Sequence, residues 1–333
     1  MTKNIIGFVL IDAPHSALNN AGANPSERTE NTIAVKAIHK GKDLYPYVSA
    51  QAWRYWWRNT LAEKFNWVLS PITRETKIAL TAANPFKYKD DDLFGYMRAV
   101  KKSEGGTLTR LSPLKTSPLI SVSPQKPTND FGVMARHEGD PVPYEHQFYS
   151  VILKGIFALD LTNIGLFSQL SKTGFLNLTP EYVNSSLTDS VTESQAALEG
   201  SEYKLHDNER LSRIQDAIKA LPFLSGGAKQ ALHHTDVTPK FIILAEIEGG
   251  NNIFMNIASS DKSSIINSAA IKEVLSDYKE IIKGKVYIGL HEGFLPGLMD
   301  ELQNLKNDLS NVIEIEISSP KQAAENFAEN ITL

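Results

Sequence analysis

Apolar residues in this chain gather into a few dense runs separated by long polar stretches. Ile5–Ile11 is continuously apolar apart from Gly7, and Phe241–Ile247 is nearly so. Both patterns predict strands buried on two faces. Val151–Leu161 instead alternates, with Val151, Leu153, Phe157, Leu159 and Leu161 on one period-2 face. Lys285–Leu290 reads as a shorter fourth strand and Val312–Ile317 as an edge strand. Helical spacing fills the intervals. The clearest case runs from Ser49 to about Lys64, with Ser49 placed as N-cap after the extended Tyr45-Pro46-Tyr47; the others are Leu205–Leu221, Ser264–Lys283 and Leu295–Leu309. Strands and helices interleaved at uneven spacing predict an α+β sheet domain with insertions, without tandem repeats or a regular βαβ array.

Three stretches lack either period. Residues 14–35 are polar and open a loop at Asn19, Asn20, Gly22, Asn24 and Pro25. Residues 85–145 combine the run Lys87-Tyr-Lys-Asp-Asp-Asp92 with Pro113, Pro118, Pro124, Pro127, Pro141 and Pro143, which excludes a long helix and disfavours a central strand. Thr188–Ser201 is rich in Ser, Thr and Glu and is expected to be mobile. Long loops inside a compact domain are usually functional or disordered, so the expectation is a core carrying several appendages.

Composition narrows the chemistry. The chain has 333 residues and no cysteine, which removes disulfides, thiolate metal sites and cysteine nucleophiles, and suits a reducing cytoplasm. The first apolar run is too short to span a bilayer and lacks a signal-peptide cleavage pattern, so no membrane association is expected. Residues 1–150 hold 19 Lys and Arg against 14 Asp and Glu, and the remainder 15 against 24. A basic half and an acidic half permit a cationic groove on one face with acidic surface elsewhere, although ordinary fluctuation in charge gives the same count.

Candidate chemistry is concentrated at Tyr45–Arg58. On a helix, Gln51, Arg54 and Arg58 share one face and Ala50, Trp53, Trp57 and Leu61 another. Arginines at i and i+4 repel unless an anion lies between them, and amides after Ser49 would form a phosphate site. The alternative is a solvated arginine face paired with acids. Ser225-Gly-Gly-Ala-Lys-Gln-Ala-Leu-His-His234 brings paired glycines and Lys229 just before a strand, as a ligand-approaching loop or as a simple turn, without Walker A spacing. Gly105–Arg110, Lys115 and Arg136-His137 offer basic groups that either grip a nucleic-acid backbone or stay solvated. The eight histidines form no HxxxH or HExxH spacing, GxSxG is absent, and Asp90-Asp91-Asp92 reads as a solvated loop run.

Arg28-Thr-Glu-Asn31, Lys42 and Tyr45-Pro-Tyr-Val-Ser-Ala-Gln-Ala-Trp-Arg54 resemble the DevR-type Cascade backbone subunits of type I-B CRISPR systems. Gly106–Pro118, Ile156–Leu161 and Gly226-Gly-Ala-Lys-Gln-Ala231 followed by Asp236 and Pro239 extend the likeness over roughly residues 4–250. The resemblance implies an RNA-recognition-motif-like (ferredoxin-like) palm of the RAMP superfamily with large finger and thumb insertions. It places the palm in residues 1–84 and 146–333, with a mobile loop near 185–204, and an inserted arm in 85–145. It implies no cofactor and no catalysis; the alternative is a metal-dependent ribonuclease of the same superfamily, using Asp12 or Asp130. The implied ligand is a guide crRNA, which pairs with target DNA. Implied protein partners are further copies stacked head to tail, a large subunit, a guide 5′-end cap subunit, a guide-processing endonuclease, and either a nuclease-helicase or transposition proteins. Carried onto this sequence, the RNA contacts are Ser49, Gln51, Arg54 and Arg58 at the helix, and Gly226, Gly227, Lys229 and Gln230 at the glycine loop. Arg28, Asn31 and Lys42 would line the groove, and Arg110, Lys115 and Arg136 would stand on the arm.

Overall fold

A computed structural model describes residues 2–23, 32–75, 78–99, 106–180, 182–183, 202–259 and 265–333. The strands are β1 (Lys3–Ser16), β2 (Asn20–Ala23), β3 (Thr32–Val35), β4 (Ala37–Lys40), β5 (Asp43–Val48), β6 (Thr73–Glu75), β7 (Ile78–Leu80), β8 (Tyr96–Ala99) and β9 (Thr107–Arg110). There follow β10 (Leu114–Thr116), β11 (Leu119–Ser121), β12 (Thr128–Met134), β13 (Val142–Asp160), β14 (Leu166–Ser168), β15 (Glu202–Lys204), β16 (Phe241–Glu248), β17 (Ile282–Leu290) and β18 (Ile315–Ser318). The helices are α1 (Ala50–Phe65), α2 (Lys89–Phe94), α3 (Asp207–Lys219), α4 (Gln230–His233), α5 (Ser268–Asp277), α6 (Leu298–Asp308) and α7 (Pro320–Glu329).

One large sheet organises these elements, in the order β18-β17-β16-β1-β13-β11-β5-β4. β1 lies antiparallel between β13 and β16, pairing Ile5 with Leu159 on one side and Glu246 on the other. Its apolar run is continuous because both faces are covered. Ile5, Val9 and Ile11 join one core, and Ile6, Phe8 and Leu10 join the other. Gly7 interrupts the run for a steric reason: a Cβ there would fall inside the Phe157 ring.

The first core forms where α1 and α3 pack on one face of the sheet. Trp53 and Trp57 are fully buried, and Trp57 meets Phe157 edge-on at 5.1 Å. Three of the four buried indoles donate to a defined acceptor: Trp53 Nε1 to Ser117 O, Trp57 Nε1 to Ala217 O and Trp67 Nε1 to Asp216 Oδ2, all at 2.8 Å. Apolar burial drives the packing, and the indole bonds fix the angle at which the helices cross. α7 joins the same side, with Phe327 edge-on to Tyr287. The opposite face is capped by Phe254, Ile257, Ile266 and the apolar stripes of α5 and α6.

The expected strands and helices are present, with two differences at the ends of elements. The helix expected over Ser264–Lys283 occupies only Ser268–Asp277, and β17 begins at Ile282. The edge strand expected at Val312–Ile317 is β18, parallel to β17. The loop expected at 188–201, together with Arg28 and Asn31, lies outside the described residues.

Segment 85–145 departs most from expectation. β10 and β11 enter the large sheet against β13, and Leu93, Leu114 and Leu119 are core residues. The prolines fall just outside these three-residue strands, so they do not break the pairing. β12 and the first half of β13 form an antiparallel ribbon, called the arm below, with Thr128 opposite Phe148 and Met134 opposite Val142. Phe131, Val133, Met134, Val142 and Tyr144 are exposed on it.

Candidate nucleic-acid interface

α1 begins after Ser49, whose backbone is extended (φ −63°, ψ 152°) but whose side chain makes no capping bond. Ser49 is held from the other side, its N–H donating to Asn19 Oδ1 at 2.9 Å. Gln51 is exposed beside this end, and Tyr55 follows one turn later with 58% of its surface exposed. Helix starts present amides without intrahelical partners, an arrangement suited to anions.

The two arginines do not share that exposed ridge. Arg54 donates to Leu114 O, to Phe94 O at 2.9 Å and to Ser112 Oγ at 2.9 Å. Burial, with Arg58 adding, holds its guanidinium down to about 10. Arg58 lies over the Phe94 ring at 4.4 Å with Nε 3.6 Å from Asp90 Oδ2, and retains 31% side-chain exposure. The repulsion between these guanidiniums is therefore offset by protein carbonyls and a carboxylate, with no external anion required. Arg54 thereby cross-links α1 to the end of α2 and to the segment entering β10.

The Asp run explains the other displaced cation. Asp90, Asp91 and Asp92 form α2 and are buried, not solvated. Asp92 is fully enclosed and bridges Arg110 and Arg213, the latter at 2.7 Å. Asp91 accepts from Ser70 Oγ and Asn84 N–H, both at 2.8 Å, and Asp90 from Ser70 N–H at 2.9 Å. Arg110, expected on the arm, is 6% exposed, bridged to Asp92 and placed over Phe167 at 4.5 Å, so it lies in the body of the fold beside α2. Lys115 and Arg136 are exposed, on β10 and on the turn joining β12 to β13, and Lys42 is exposed on the β4–β5 turn. None of these three has an ion-pair partner among the described residues.

The glycine turn packs where the sequence required small residues. A Cβ on Gly226 (φ +147°) would strike the Trp56 indole, and one on Gly227 (φ +102°) would strike Leu18. Ala228 N–H donates to Leu18 O at 3.0 Å. Gln230 turns its amide inward to Gly226 O and to Thr235 O at 3.1 Å, which makes it a brace of the turn. Lys229 has a left-handed backbone (φ 57°) and no ion-pair partner among the described residues. Trp56 and Arg54 are two residues apart, so they lie about 160° around the helix from each other. The turn and the arginines therefore flank α1 on opposite sides. The helix start and the turn, in contrast, meet through residues 17–19, since Leu18 touches the turn and Asn19 holds Ser49.

On the far side of Asn19 a cavity of about 940 Å³ opens, lined by Lys36, His39, Tyr47, Lys126, Asn129 and Gln147 among others. Sequence reasoning missed it, because its walls come from β3–β5 and the base of the arm, which are about 90 residues apart in sequence. Beside it, His146 stands 3.3 Å from Asp130 and edge-on to His233 at 5.8 Å. His233 is held below its ordinary value by burial, and then by His146 and His15. Among the described residues no group of three or more His, Asp or Glu is placed to hold a metal ion, and no helix is long and apolar enough to cross a membrane.

Residues 13–262 match the family described as CRISPR-associated negative auto-regulator DevR/Csa2. No curated protein sequence matches the chain. Among solved structures, a chain of a "CRISPR RNA-guided surveillance complex, pre-nicking" is similar at TM-score 0.57 and 11% identity, over 98% of this chain and 100% of that one. A chain of a "CRISPR RNA-guided surveillance complex" is similar at TM-score 0.49 and 10% identity, over 98% of each.

Proposed function

Because this chain belongs to the DevR/Csa2 family of CRISPR-associated proteins, we propose that it is a surveillance-complex subunit that binds guide crRNA by its backbone and catalyses nothing. The observation that carries this reading is the junction at residues 17–19, where Leu18 packs on the glycine turn that bears Lys229 and the next residue, Asn19, holds Ser49 at the start of α1. A helix start, a lysine with no ion-pair partner among the described residues and a left-handed backbone at Lys229 together suit sugar-phosphate, and such backbone strain clusters at ligand clamps. Ser49, Gln51, Gly226, Gly227 and Lys229 are its members; Gln230 supports the turn from within.

The finer architecture follows the same reading. The order β16-β1-β13-β11 is antiparallel throughout, with α1 and α3 on one face, which supports a ferredoxin-like, RNA-recognition-motif-like palm. The face such palms use for stacking bases is capped in part by α5 and α6, which favours backbone binding over base stacking. Sequence reading is then left to base pairing between guide and target DNA, a division seen in other RNA-guided effectors. An arm with exposed apolar residues supports heterologous, head-to-tail contacts between copies of a type I-B backbone subunit.

The purified protein is expected to carry RNA of uniform length, visible by absorbance ratio and on a denaturing gel. Lys229→Glu should weaken single-stranded RNA binding several-fold in fluorescence anisotropy, independent of sequence. Protein free of RNA that also fails to bind added oligoribonucleotides would refute the proposal.

A further inference from the structure

α4 is a single helical turn, closed at each end by a left-handed residue, Lys229 (φ 57°) and His234 (φ 47°). So short a helix has almost no stability of its own, and its position depends on what it touches. Ahead of it, Gly226 rests on Trp56, and Gly227 and Ala228 rest on Leu18. Beyond its end, Thr235 shares a buried hydroxyl bond with Ser16 at 2.8 Å. On the arm side the contact is made by His233, whose ring is edge-on to His146 and tilted against Phe148, each at 5.8 Å. His146 lies nearly parallel to the Tyr144 ring at 6.4 Å, and its Nε2 stands 3.3 Å from Asp130 Oδ2. Tyr144 is itself seated across Gly132, where a Cβ would fall on the phenol ring. Tyr144, His146 and Phe148 alternate along β13 and so share one face of the arm, against which His233 closes.

Each imidazole of this pair has one enclosed nitrogen with no hydrogen-bond partner among the described residues, Nδ1 of His146 and Nε2 of His233. A neutral ring accommodates that, because the enclosed nitrogen can be the one without a proton. An imidazolium must donate from both nitrogens. Charging either ring therefore buries a donor without an acceptor and sets a cation against the neighbouring ring. We propose that His146 and His233 form a proton-sensitive latch that seats α4, and Lys229 with it, against the arm. They act as positioning residues, through Lys229 and not by touching RNA, and this rests on the reading of the glycine turn as an RNA contact. The groups facing His233 are His146 of β13, His15 of β1, Asp130 of β12 and Lys229 at the head of α4. Burial, His146, His15 and Lys229 oppose its protonation, and Asp130 favours it. The latch is then fully closed above about 6.5, the value of an unlatched ring, and weakens as pH falls below it.

The experiment follows amide hydrogen exchange and RNA affinity at pH 7.5 and 5.5. Exchange is expressed as protection factors, which removes its intrinsic pH dependence, and circular dichroism checks the fold at both values. In the wild-type protein the peptide spanning residues 228–234 should lose protection several-fold at pH 5.5. The Kd for a single-stranded RNA oligonucleotide should rise several-fold in the same step. His233→Phe keeps a ring against His146 and Phe148 but cannot titrate, so both responses should shrink. His233→Ala removes the ring, so the turn should be less protected and RNA binding weaker already at pH 7.5, and His233→Phe should recover most of that loss. A wild-type turn equally protected at both pH values overturns the latch without recourse to any variant. A His233→Phe protein with the full wild-type pH response overturns it too. The expected exchange response in a protein that binds no RNA oligonucleotide at either pH supports the latch and overturns the RNA reading of the turn.

Discussion

Asp92 has no exposed surface, so its charge is compensated wholly by protein, through Arg110 and Arg213. Removing one partner of a buried ion pair leaves the other uncompensated and typically costs ~3–5 kcal/mol. Asp92→Ala is therefore expected to lower the melting temperature sharply or abolish soluble expression. Arg54→Ala should cost roughly 2–3 kcal/mol, since a charged donor leaves acceptors behind. It should also leave the salt slope of RNA binding unchanged, and a slope reduced without loss of stability would restore Arg54 to the interface. His233 gives a pH dependence. Its folded value lies below the ordinary one because burial disfavours the charged ring, with His146, His15 and Lys229 adding and Asp130 opposing. As pH falls through about 6.5 the unfolded chain takes up this proton first, so stability declines, until it levels below the folded value. His233→Gln should melt with a shallower dependence between pH 7.5 and 5.5.

At the scale of elements, the glycine turn is the most exacting part. Gly226→Ala places a methyl group against Trp56 in a region of backbone that side chains rarely adopt. The turn should then lift from α1, weakening RNA binding while circular dichroism stays native; undiminished binding would show that the turn does not need its seat on Trp56. That the chain turns here was legible in the sequence, because paired glycines permit the positive φ angles of Gly226 and Gly227. β1, β13, β16, β17 and α1 were legible because continuous or alternating apolar runs leave one plausible periodicity, whereas β2 and β3 fall in a stretch that reads as a polar loop. The Asp run was not. Three consecutive carboxylates are normally solvated, and their burial depends on Arg58, Arg110, Arg213 and Ser70, which are distant in sequence and carry no mutual spacing signal. The surroundings of the arginines were not legible either: the helix period put Arg54 and Arg58 together, but gave no sign that Phe94, Ser112 and Leu114 would contact them. The cavity around Tyr47 had no sequence signature, because two separate segments make it.

Across the whole molecule, charge and topology are arranged separately. Lys36 and Lys126 line the cavity at the β3–β5 end of the sheet, whereas at the opposite edge Lys285 of β17 is paired with Glu314 and Glu316 and α6 carries Asp300 and Glu301 in its first turn. The sheet that joins these regions is built from partners far apart in the chain: Ile6 of β1 pairs with Ala158 and with Ala245. During synthesis β1 must therefore wait about 140 residues for its first neighbour and about 235 for its second. Through that interval the six apolar side chains of Ile5–Ile11 face water, so the nascent chain is a natural client for a holding chaperone and its refolding should be slow. Overexpression that outruns chaperone supply should yield inclusion bodies, and slower synthesis at low temperature should recover soluble protein.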